Sequence, residues 1–326
     1  MKRILVIKLS SLGDIAHALP ALRALKDRTG AAIDWVVQPE YAALAACCLD
    51  ADRVIEFPRR EMWRRLRPFL RELRRERYEA IVDLQGLMKS ALVARLARGD
   101  RRYGPAWARE GAPLFYDIRP PRRAGPRGHA VGELMEVVDL VAPGGREALS
   151  PLRLHLPEAE PHAHPGPHVA FAPFSRWGTK DWPLENFAEL GRRLMREMGC
   201  QIRIVGGGAD AEKGEALAGQ IGEGARSLCG HTDLPGLCAL LKNMDLLVTV
   251  DSGPMHWADA MDVPLVAIFG ATDPARTGPY RQLDHVVAQD GLSCRPCHAR
   301  TCARGDLACL RTLDVETVFR AALERL

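Results

Sequence analysis

Long apolar runs are missing from this chain of 326 residues. A membrane-spanning helix needs ~18 or more consecutive apolar residues, and no stretch reaches that length, so we expect no spanning helix. Only a short apolar run precedes Lys8, which is too little for a signal peptide, so we expect a cytoplasmic protein. In that compartment the 9 cysteines are expected as thiols or metal ligands rather than as disulfides.

Aromatic residues are also scarce, at 6% of the sequence, and few of them stand among the basic residues. Because no nucleic-acid-binding motif accompanies those basic residues, we do not expect nucleic acid as a partner. What is present is a globular composition, with 47% hydrophobic and 26% charged residues, in a chain long enough for two domains.

Charge is divided unevenly between the two halves. Residues 1–155 hold 28 Lys and Arg against 19 Asp and Glu, a net charge of +9. Residues 156–326 hold 17 against 22, a net charge of −5. This asymmetry predicts that the first half meets something anionic, either a membrane surface or a phosphorylated, carboxylated acceptor.

The most basic segment runs from Arg59 to Arg77 and contains nine Arg against three Glu. Its residues Trp63, Leu66, Leu70 and Leu73 recur at three- and four-residue steps, which predicts an amphipathic helix. A solvated helix face over an apolar stripe is the ordinary interpretation. The self-repulsion of so many arginines favours contact with anions instead.

Strands and helices are predicted to alternate in both halves of the chain, which indicates two doubly wound α/β domains facing a cleft. The clearest strands are Ile4 to Ile7, Ala80 to Asp83, His168 to Ala172, Leu246 to Val250 and Leu265 to Phe269. The segment from Gly99 to Gly128 is predicted to be loop, apart from a short strand at 114–116. A Pro- and His-rich linker at 157–167 separates a domain over 1–156 from one over 168–312, and a helix over 313–326 closes the chain.

Asp14 lies at the first strand–turn–helix junction, in Lys8-Leu-Ser-Ser-Leu-Gly-Asp14. Open α/β sheets bind their ligands at such junctions. Asp is also a favoured residue for capping a helix, so position alone leaves the two interpretations equal.

Five stretches, which follow one another over almost the whole chain, carry a more specific signal. They are Lys8 to Pro20, Tyr78 to Ala97, Ala108 to Tyr116, Lys180 to Pro183, and Asp251 to Tyr280. Together they resemble the bacterial ADP-heptose glycosyltransferases, glycosyltransferase family 9, and within that family the lipopolysaccharide enzymes that transfer the first heptose. The resemblance implies the GT-B fold, with two Rossmann-like domains, the first binding acceptor and the second binding ADP-heptose.

The reaction implied by the resemblance is an inverting transfer of L-glycero-D-manno-heptose from ADP-heptose to a Kdo residue of Kdo-lipid A. Asp14 matches the family's general base, which takes the proton of the acceptor hydroxyl. The acceptor is carried by the cytoplasmic face of the inner membrane, where a peripheral enzyme is expected. No Asp-x-Asp pair stands at the end of a predicted strand, so we expect no metal in the chemistry.

The resemblance also assigns binding residues. Lys180 is expected to stabilise the departing diphosphate, because negative charge gathers there. The full set of predicted donor contacts is Ser175, Arg176, Lys180, Glu212, Thr232, Asp251, Ser252, Gly253 and His256. Bidentate arginines suit the carboxylates and phosphates of the acceptor. The predicted acceptor contacts are Ser10, Arg59, Arg60, Arg64, Gln85, Lys89 and Arg109.

Four cysteines cluster near the end of the chain, in a segment over 294–309. Cys294, Cys297, Cys302 and Cys309 could hold Zn²⁺ or iron in a structural site, although the spacing is not that of a two-pair zinc ribbon. A metal or disulfide and free thiols are equally favoured by the sequence.

Two other functions fit the same residues. One is a transferase of the same family with another acceptor, such as the enzyme that adds the second heptose. The other is a nucleotide-sugar-binding or membrane-surface module without activity, in which Asp14 only caps its helix.

Overall fold

The structure is a computed structural model that describes residues 1–60, 62–122, 124–144, 152–159 and 164–326. The chain divides into two compact units, Met1–His155 and Leu156–Leu326. Part of the predicted linker, residues 160–163, lies outside the described residues. No helix in the described ranges is long and apolar enough to cross a bilayer.

The first unit is a five-stranded parallel sheet with the strand order β3-β2-β1-β4-β5. Its strands are β1 Arg3–Ile7, β2 Ala32–Val37, β3 Arg53–Glu56, β4 Tyr78–Asp83 and β5 Gly99–Tyr103. Its helices are α1 Leu12–Thr29, α2 Pro39–Ala46, α3 Met62–Leu73, α4 Met88–Leu96 and α5 Ala130–Val141. The four apolar residues that end β1 are wholly buried, and β1 is an inner strand that pairs with β2 on one side and β4 on the other.

The second unit is a six-stranded parallel sheet with the strand order β11-β10-β9-β6-β7-β8. Its strands are β6 His168–Ala172, β7 Gln201–Ile204, β8 Ala225–Ser227, β9 Leu246–Val250, β10 Leu265–Phe269 and β11 Val286–Ala288. Its helices are α6 Leu184–Met198, α7 Ala211–Ile221, α8 Leu234–Lys242, α9 Gly253–Ala260, α10 Pro274–Thr277, α11 Ala308–Arg311 and α12 Val315–Leu323. Two layers of buried apolar side chains cover the two faces of this sheet.

The predicted α/β architecture is confirmed, and three local predictions are wrong. Gly99–Tyr103 lies in the predicted loop but forms the edge strand β5. Its polar sequence does not favour a strand, and the hydrogen-bonded pairing with β4 determines the conformation instead. Residues 112–115 form a 3₁₀ helix where a strand was predicted at 114–116. Trp63 is 94% exposed, because the buried stripe of α3 runs through Leu66, Phe69 and Leu73.

Candidate active site

Each unit has a topological switch point, where the chain leaves one side of its first strand and continues on the other. In the first unit this point lies between β1 and β4, and in the second it lies between β6 and β9. Ligands of open α/β sheets bind outside the carboxyl ends of the strands at such points. The turns after these four strands carry most of the residues selected from the sequence.

Asp14 is the third residue of α1, and Ser11 is the residue that caps this helix. Its Oδ2 atom accepts hydrogen bonds from the Ser11 backbone N–H at 2.9 Å and from the Ser11 hydroxyl at 2.8 Å. The capping role is therefore present. It uses one carboxylate oxygen, and the side chain of Asp14 remains 47% exposed, so that capping and a chemical role are compatible.

Lys8 lies beside Asp14 and is almost completely buried, with 3% of its side chain exposed. Its ammonium group donates to the Leu84 carbonyl at 3.0 Å and lies 3.6 Å from Asp14 Oδ1. A buried lysine needs such partners, because an unpaired charge is costly away from water. Lys8 thus joins the turn after β1 to the turn after β4 and brings a positive charge to Asp14.

The turn after β4 is held by a buried carboxylate. Asp83 accepts hydrogen bonds from the backbone N–H groups of Gln85 at 2.8 Å and Gly86 at 3.1 Å, and from the Tyr116 hydroxyl at 2.6 Å. Burial raises the pKa of Asp83, and these donors act in the opposite direction. Gly86 has a φ of +69°, and a Cβ there would meet Pro105 and Trp107 at 2.8 and 2.9 Å, so this turn requires glycine.

Gln85 extends this network to the turn after β1. Its Oε1 atom accepts from the backbone N–H groups of Leu9 at 3.0 Å and Ser10 at 3.2 Å. Two of the predicted acceptor contacts, Ser10 and Gln85, are therefore directly joined to each other. Their hydrogen bonds fix the backbone that leads to Asp14.

The other predicted acceptor contacts are exposed cations around this unit. Lys89 lies in the first turn of α4, and Arg109 is anchored through its backbone N–H, which donates to the Gly86 carbonyl at 3.0 Å. Arg59, Arg60 and Arg64 are exposed on the segment that enters and begins α3. Arg59 lies 4.0 Å from Glu40, at the limit of an ion pair.

The switch point of the second unit is built around Lys180 and Asp251. The ammonium group of Lys180 lies 2.7 Å from Asp251 Oδ2, and the side chains are 18% and 4% exposed. The Thr272 hydroxyl donates to the same oxygen at 2.6 Å. Asp251 thus connects the turn after β6, which carries Lys180, with the turn after β10, which carries Thr272. An ammonium group has three N–H donors, so Lys180 retains donors for an anionic ligand.

Other predicted donor contacts surround this pair. Ser252 caps α9, whose first residue is Gly253, and its hydroxyl lies 3.3 Å from that of Thr249. His256 is buried one turn further along α9. The hydroxyl group of Ser175 already donates a hydrogen bond to the Trp177 carbonyl at 2.8 Å. Arg176 is exposed.

Glu212 and Thr232 lie farther along the same sheet edge. Glu212 is exposed near the start of α7, which follows β7, and Thr232 is half-buried in the turn after β8. The glycine triplet after β7 has a packing role at Gly206, where a Cβ would meet Cys229 Sγ and Phe174 at 2.9 Å. No Cβ contact within 4 Å is found at Gly208, so the backbone is open there.

The cysteine segment supports the second site. The Thr179 hydroxyl donates to the Ala299 carbonyl at 2.7 Å, and the His298 backbone N–H donates to the Ala271 carbonyl at 2.8 Å. Cys294, Cys297, Cys302 and Cys309 are all free thiols. The described residues contain no group of three or more His, Cys, Asp or Glu side chains arranged to hold a metal ion. The metal and disulfide interpretations therefore gain no support from this geometry.

Several polar residues at the two sites were missed from the sequence. Four of them lie within the stretches that carry the resemblance, but the sequence predicted no role for them: Lys8, Asp83, Tyr116 and Thr272. The signal that could have found Asp83 is its position at the carboxyl end of an apolar strand, where a charged side chain must have a partner. Tyr116 could not be found in this way, because its partner lies 33 residues away in the sequence.

Comparison with known proteins agrees with this geometry. The model of the family "Glycosyltransferase family 9 (heptosyltransferase)" matches residues 66–308. Lipopolysaccharide heptosyltransferase 1 of Pseudomonas aeruginosa is 32% identical over 321 residues, covering 92% of this chain and 87% of the relative.

Two solved structures of Escherichia coli heptosyltransferase WaaC are also similar. The complex with ADP superposes with a TM-score of 0.79 at 27% identity, covering 99% of this chain and 100% of the other. The complex with ADP-2-deoxy-2-fluoro heptose superposes with a TM-score of 0.76 at 26% identity and the same coverage. The fold is therefore of the GT-B type, and the protein is a glycosyltransferase. The chain belongs to glycosyltransferase family 9, the heptosyltransferase family.

Proposed function

We propose that the protein transfers L-glycero-D-manno-heptose from ADP-heptose to a Kdo residue of Kdo-lipid A, with inversion at the anomeric carbon. The donor is supported by the WaaC complexes and by the lysine at the second switch point. The acceptor is supported by the similarity to heptosyltransferase 1 and by the basic first unit. One observation carries the mechanism: Asp14 is anchored through one oxygen at the first switch point and remains half-exposed.

On the acceptor side, Asp14 acts as the general base. It takes the proton of the acceptor hydroxyl while that oxygen forms the new bond to the anomeric carbon. The hydrogen bonds from Ser11 hold the carboxylate in one orientation, which reduces the entropy lost when the acceptor binds. Lys8 and Gln85 keep the supporting turns together.

On the donor side, the bond from the anomeric carbon to the diphosphate breaks, and its electron pair leaves with ADP. Lys180 neutralises the charge that develops on the diphosphate, and the N-terminus of α9 adds backbone N–H donors. Asp251 holds Lys180 in place at 2.7 Å. The proposal includes no metal ion, since no Asp-x-Asp pair follows a described strand.

The exposed cations of the first unit bind the anionic groups of the acceptor. Arg59, Arg60, Arg64, Lys89 and Arg109 are the residues proposed for this role, because guanidinium groups pair with carboxylate and phosphate in bidentate geometry. The acceptor is a lipid, so the enzyme works as a peripheral protein at a membrane surface, which we place at the cytoplasmic face of the inner membrane.

Asp14→Asn tests the mechanism. Asparagine can still accept from the Ser11 N–H, so we expect a folded protein with unchanged affinity for ADP. Transfer from ADP-heptose to Kdo-lipid A should fall about 10²–10⁴-fold, the usual contribution of a general base. Asp27→Asn, on the same helix α1, is the matched control and should retain wild-type turnover.

Three outcomes would count against the proposal. Wild-type turnover by Asp14→Asn would leave Asp14 as a helix cap only. Product from monoheptosylated Kdo-lipid A, with none from Kdo-lipid A, would assign the protein to the second heptose instead. ADP-heptose binding without transfer to either acceptor would favour a binding module.

A further inference from the structure

A cluster of arginines in the first unit is not used by the proposed reaction. Arg67, Arg71, Arg74, Arg75 and Arg98 line a shallow pocket of ≈ 700 Å³, together with Glu72. All five arginines are exposed. We call these five residues the arginine surface. It includes neither Asp14 nor any of the cations assigned to the acceptor.

Most of the charge on the arginine surface is uncompensated. Glu72 already accepts from Arg53 at 3.2 Å and lies 3.9 Å from Arg75. In the part of the chain that the structure describes, no ion pair is found for Arg67, Arg71, Arg74 or Arg98. Arg67, Arg71 and Arg74 lie at steps of four and three residues, so they share one face along α3 and its continuation. Such a row attracts anions, because like charges on one helix face repel one another.

Exposed apolar side chains border this basic face. Trp63 precedes Arg67 by one helical turn, which places it on the same face, and it is 94% exposed. Leu92 and Leu96, one turn apart on α4, are each 43% exposed. Helices α3 and α4 pack on the same side of the sheet, since Phe69 and Val93 belong to one core cluster. Arg98, which follows α4, lines the same pocket as the arginines of α3.

Basic residues with an exposed tryptophan and leucines match the surface of an anionic bilayer. Arginines there attract lipid phosphates, and tryptophan prefers the level of the headgroups. We propose that the arginine surface docks the protein on an anionic phospholipid bilayer, with lipid phosphates bound among its guanidinium groups and Trp63, Leu92 and Leu96 in the headgroup layer. This inference deepens the proposed function, on which it rests for the lipid nature of the acceptor.

The test measures binding to vesicles without donor or acceptor. Wild-type protein should co-sediment with vesicles of phosphatidylethanolamine and phosphatidylglycerol and should not bind vesicles of phosphatidylcholine alone. The triple variant Arg67→Gln, Arg71→Gln, Arg74→Gln should bind the anionic vesicles about 100-fold more weakly, at about fivefold for each arginine. Trp63→Ala should also weaken binding, and binding should fall as salt is raised.

Arg196→Gln, Arg226→Gln, Arg311→Gln is the matched control, because it removes three exposed arginines from the second unit. It should bind the anionic vesicles as tightly as the wild type does. Equal binding by the first triple variant and the wild type would overturn the proposal. So would equal binding of wild type to both kinds of vesicle, or binding to a DNA duplex in place of vesicles.

Transfer to a detergent-dispersed acceptor separates this inference from the proposed function. The triple variant should keep near wild-type turnover there, since none of its three residues is assigned to the acceptor or the donor. Loss of vesicle binding with transfer retained supports docking by this surface. Wild-type binding to anionic vesicles without any transfer would overturn the proposed function and leave the docking surface standing.

Discussion

The two switch points contain the same pair of residues with opposite exposure. In the first unit the lysine is buried and the carboxylate is open, with Lys8 3% and Asp14 47% exposed and 3.6 Å between their charged atoms. In the second unit the carboxylate is buried and the lysine is more open, with Asp251 4% and Lys180 18% exposed and 2.7 Å between them. In both units the buried partner also holds a neighbouring turn, through Leu84 or Thr272.

This inversion agrees with the roles proposed for the more exposed member of each pair. A buried charge paired by the protein serves as a fixed support, and its more exposed partner remains available to a ligand. An open carboxylate suits the removal of a proton from a hydroxyl group. An ammonium group suits the stabilisation of a leaving diphosphate. In the proposed reaction, the first unit thus supplies the base and the second unit supplies the cation.

The largest effect is expected when Lys180, the more exposed member of the shorter pair, loses its charge. Lys180→Met leaves the buried carboxylate of Asp251 without its cation, which should cost about 3–5 kcal/mol of unfolding free energy. ADP affinity should fall as well, because the diphosphate loses a charge-assisted hydrogen bond. Calorimetric unfolding and ADP titration measure the two effects. Lys242→Met, an exposed lysine of the same unit, should change neither.

A double variant separates support from binding. Adding Asp251→Asn to Lys180→Met removes the unpaired charge, so stability should recover by at least half while ADP affinity stays low. Recovery of ADP affinity would show that Lys180 only balances Asp251. In the first unit, Asp14→Asn should cost less than Lys180→Met, since the pair there is longer, Asp14 is more exposed, and buried Lys8 keeps its hydrogen bond to the Leu84 carbonyl.

The sequence was sufficient to predict those parts of the fold that local patterns determine. The strands 168–172, 246–250 and 265–269 were predicted with the bounds that the structure has, because each is a short buried apolar run. The turns after β1, β6 and β9 were selected correctly as sheet-edge positions. Their assigned roles remain proposals.

What the sequence could not provide depends on long-range contact. The exposure of Trp63 depends on which face of α3 meets the sheet, and a rotation of the helix by one residue would change that face. The opposite exposure of the two lysine–carboxylate pairs also cannot be predicted from the sequence, because each pair consists of a Lys and an Asp in polar turns. The spacing of the four cysteines likewise does not indicate that the backbone of their segment hydrogen-bonds to the turns at Thr179 and Ala271.

A buried carboxylate in the second unit, that of Asp259, should make the stability of this unit depend on pH. Burial raises the pKa of Asp259, on helix α9, to about 6 from 3.8. The folded protein therefore binds a proton that the unfolded chain releases between these values, and stability from this group is lost as pH rises. The unfolding free energy of the second unit should fall by about 2–3 kcal/mol between pH 4 and pH 7.

Asp259→Asn should remove that part of the pH dependence, as measured by thermal unfolding across this range. Glu324→Gln, at an exposed position of the same unit, should leave the slope as it is in the wild type. An unchanged slope in Asp259→Asn would assign the pH dependence to other groups. The Arg281 backbone N–H, which donates to Asp259 at 3.0 Å, can also bond to the asparagine oxygen, so the variant should fold.

The smallest expected effect tests how the first unit supports its open carboxylate. Tyr116→Phe removes the hydroxyl that donates to buried Asp83 at 2.6 Å but keeps the ring, and the two backbone N–H donors remain. The expected cost is about 1–2 kcal/mol of unfolding free energy. The turn that carries Gln85 should loosen, so kcat should fall severalfold while ADP affinity stays unchanged. Tyr41→Phe, at a half-buried tyrosine of α2, is the control. If Tyr116→Phe weakens ADP binding as much as it lowers kcat, the support of the first site is not separate from the second, and the division of roles between the two units fails.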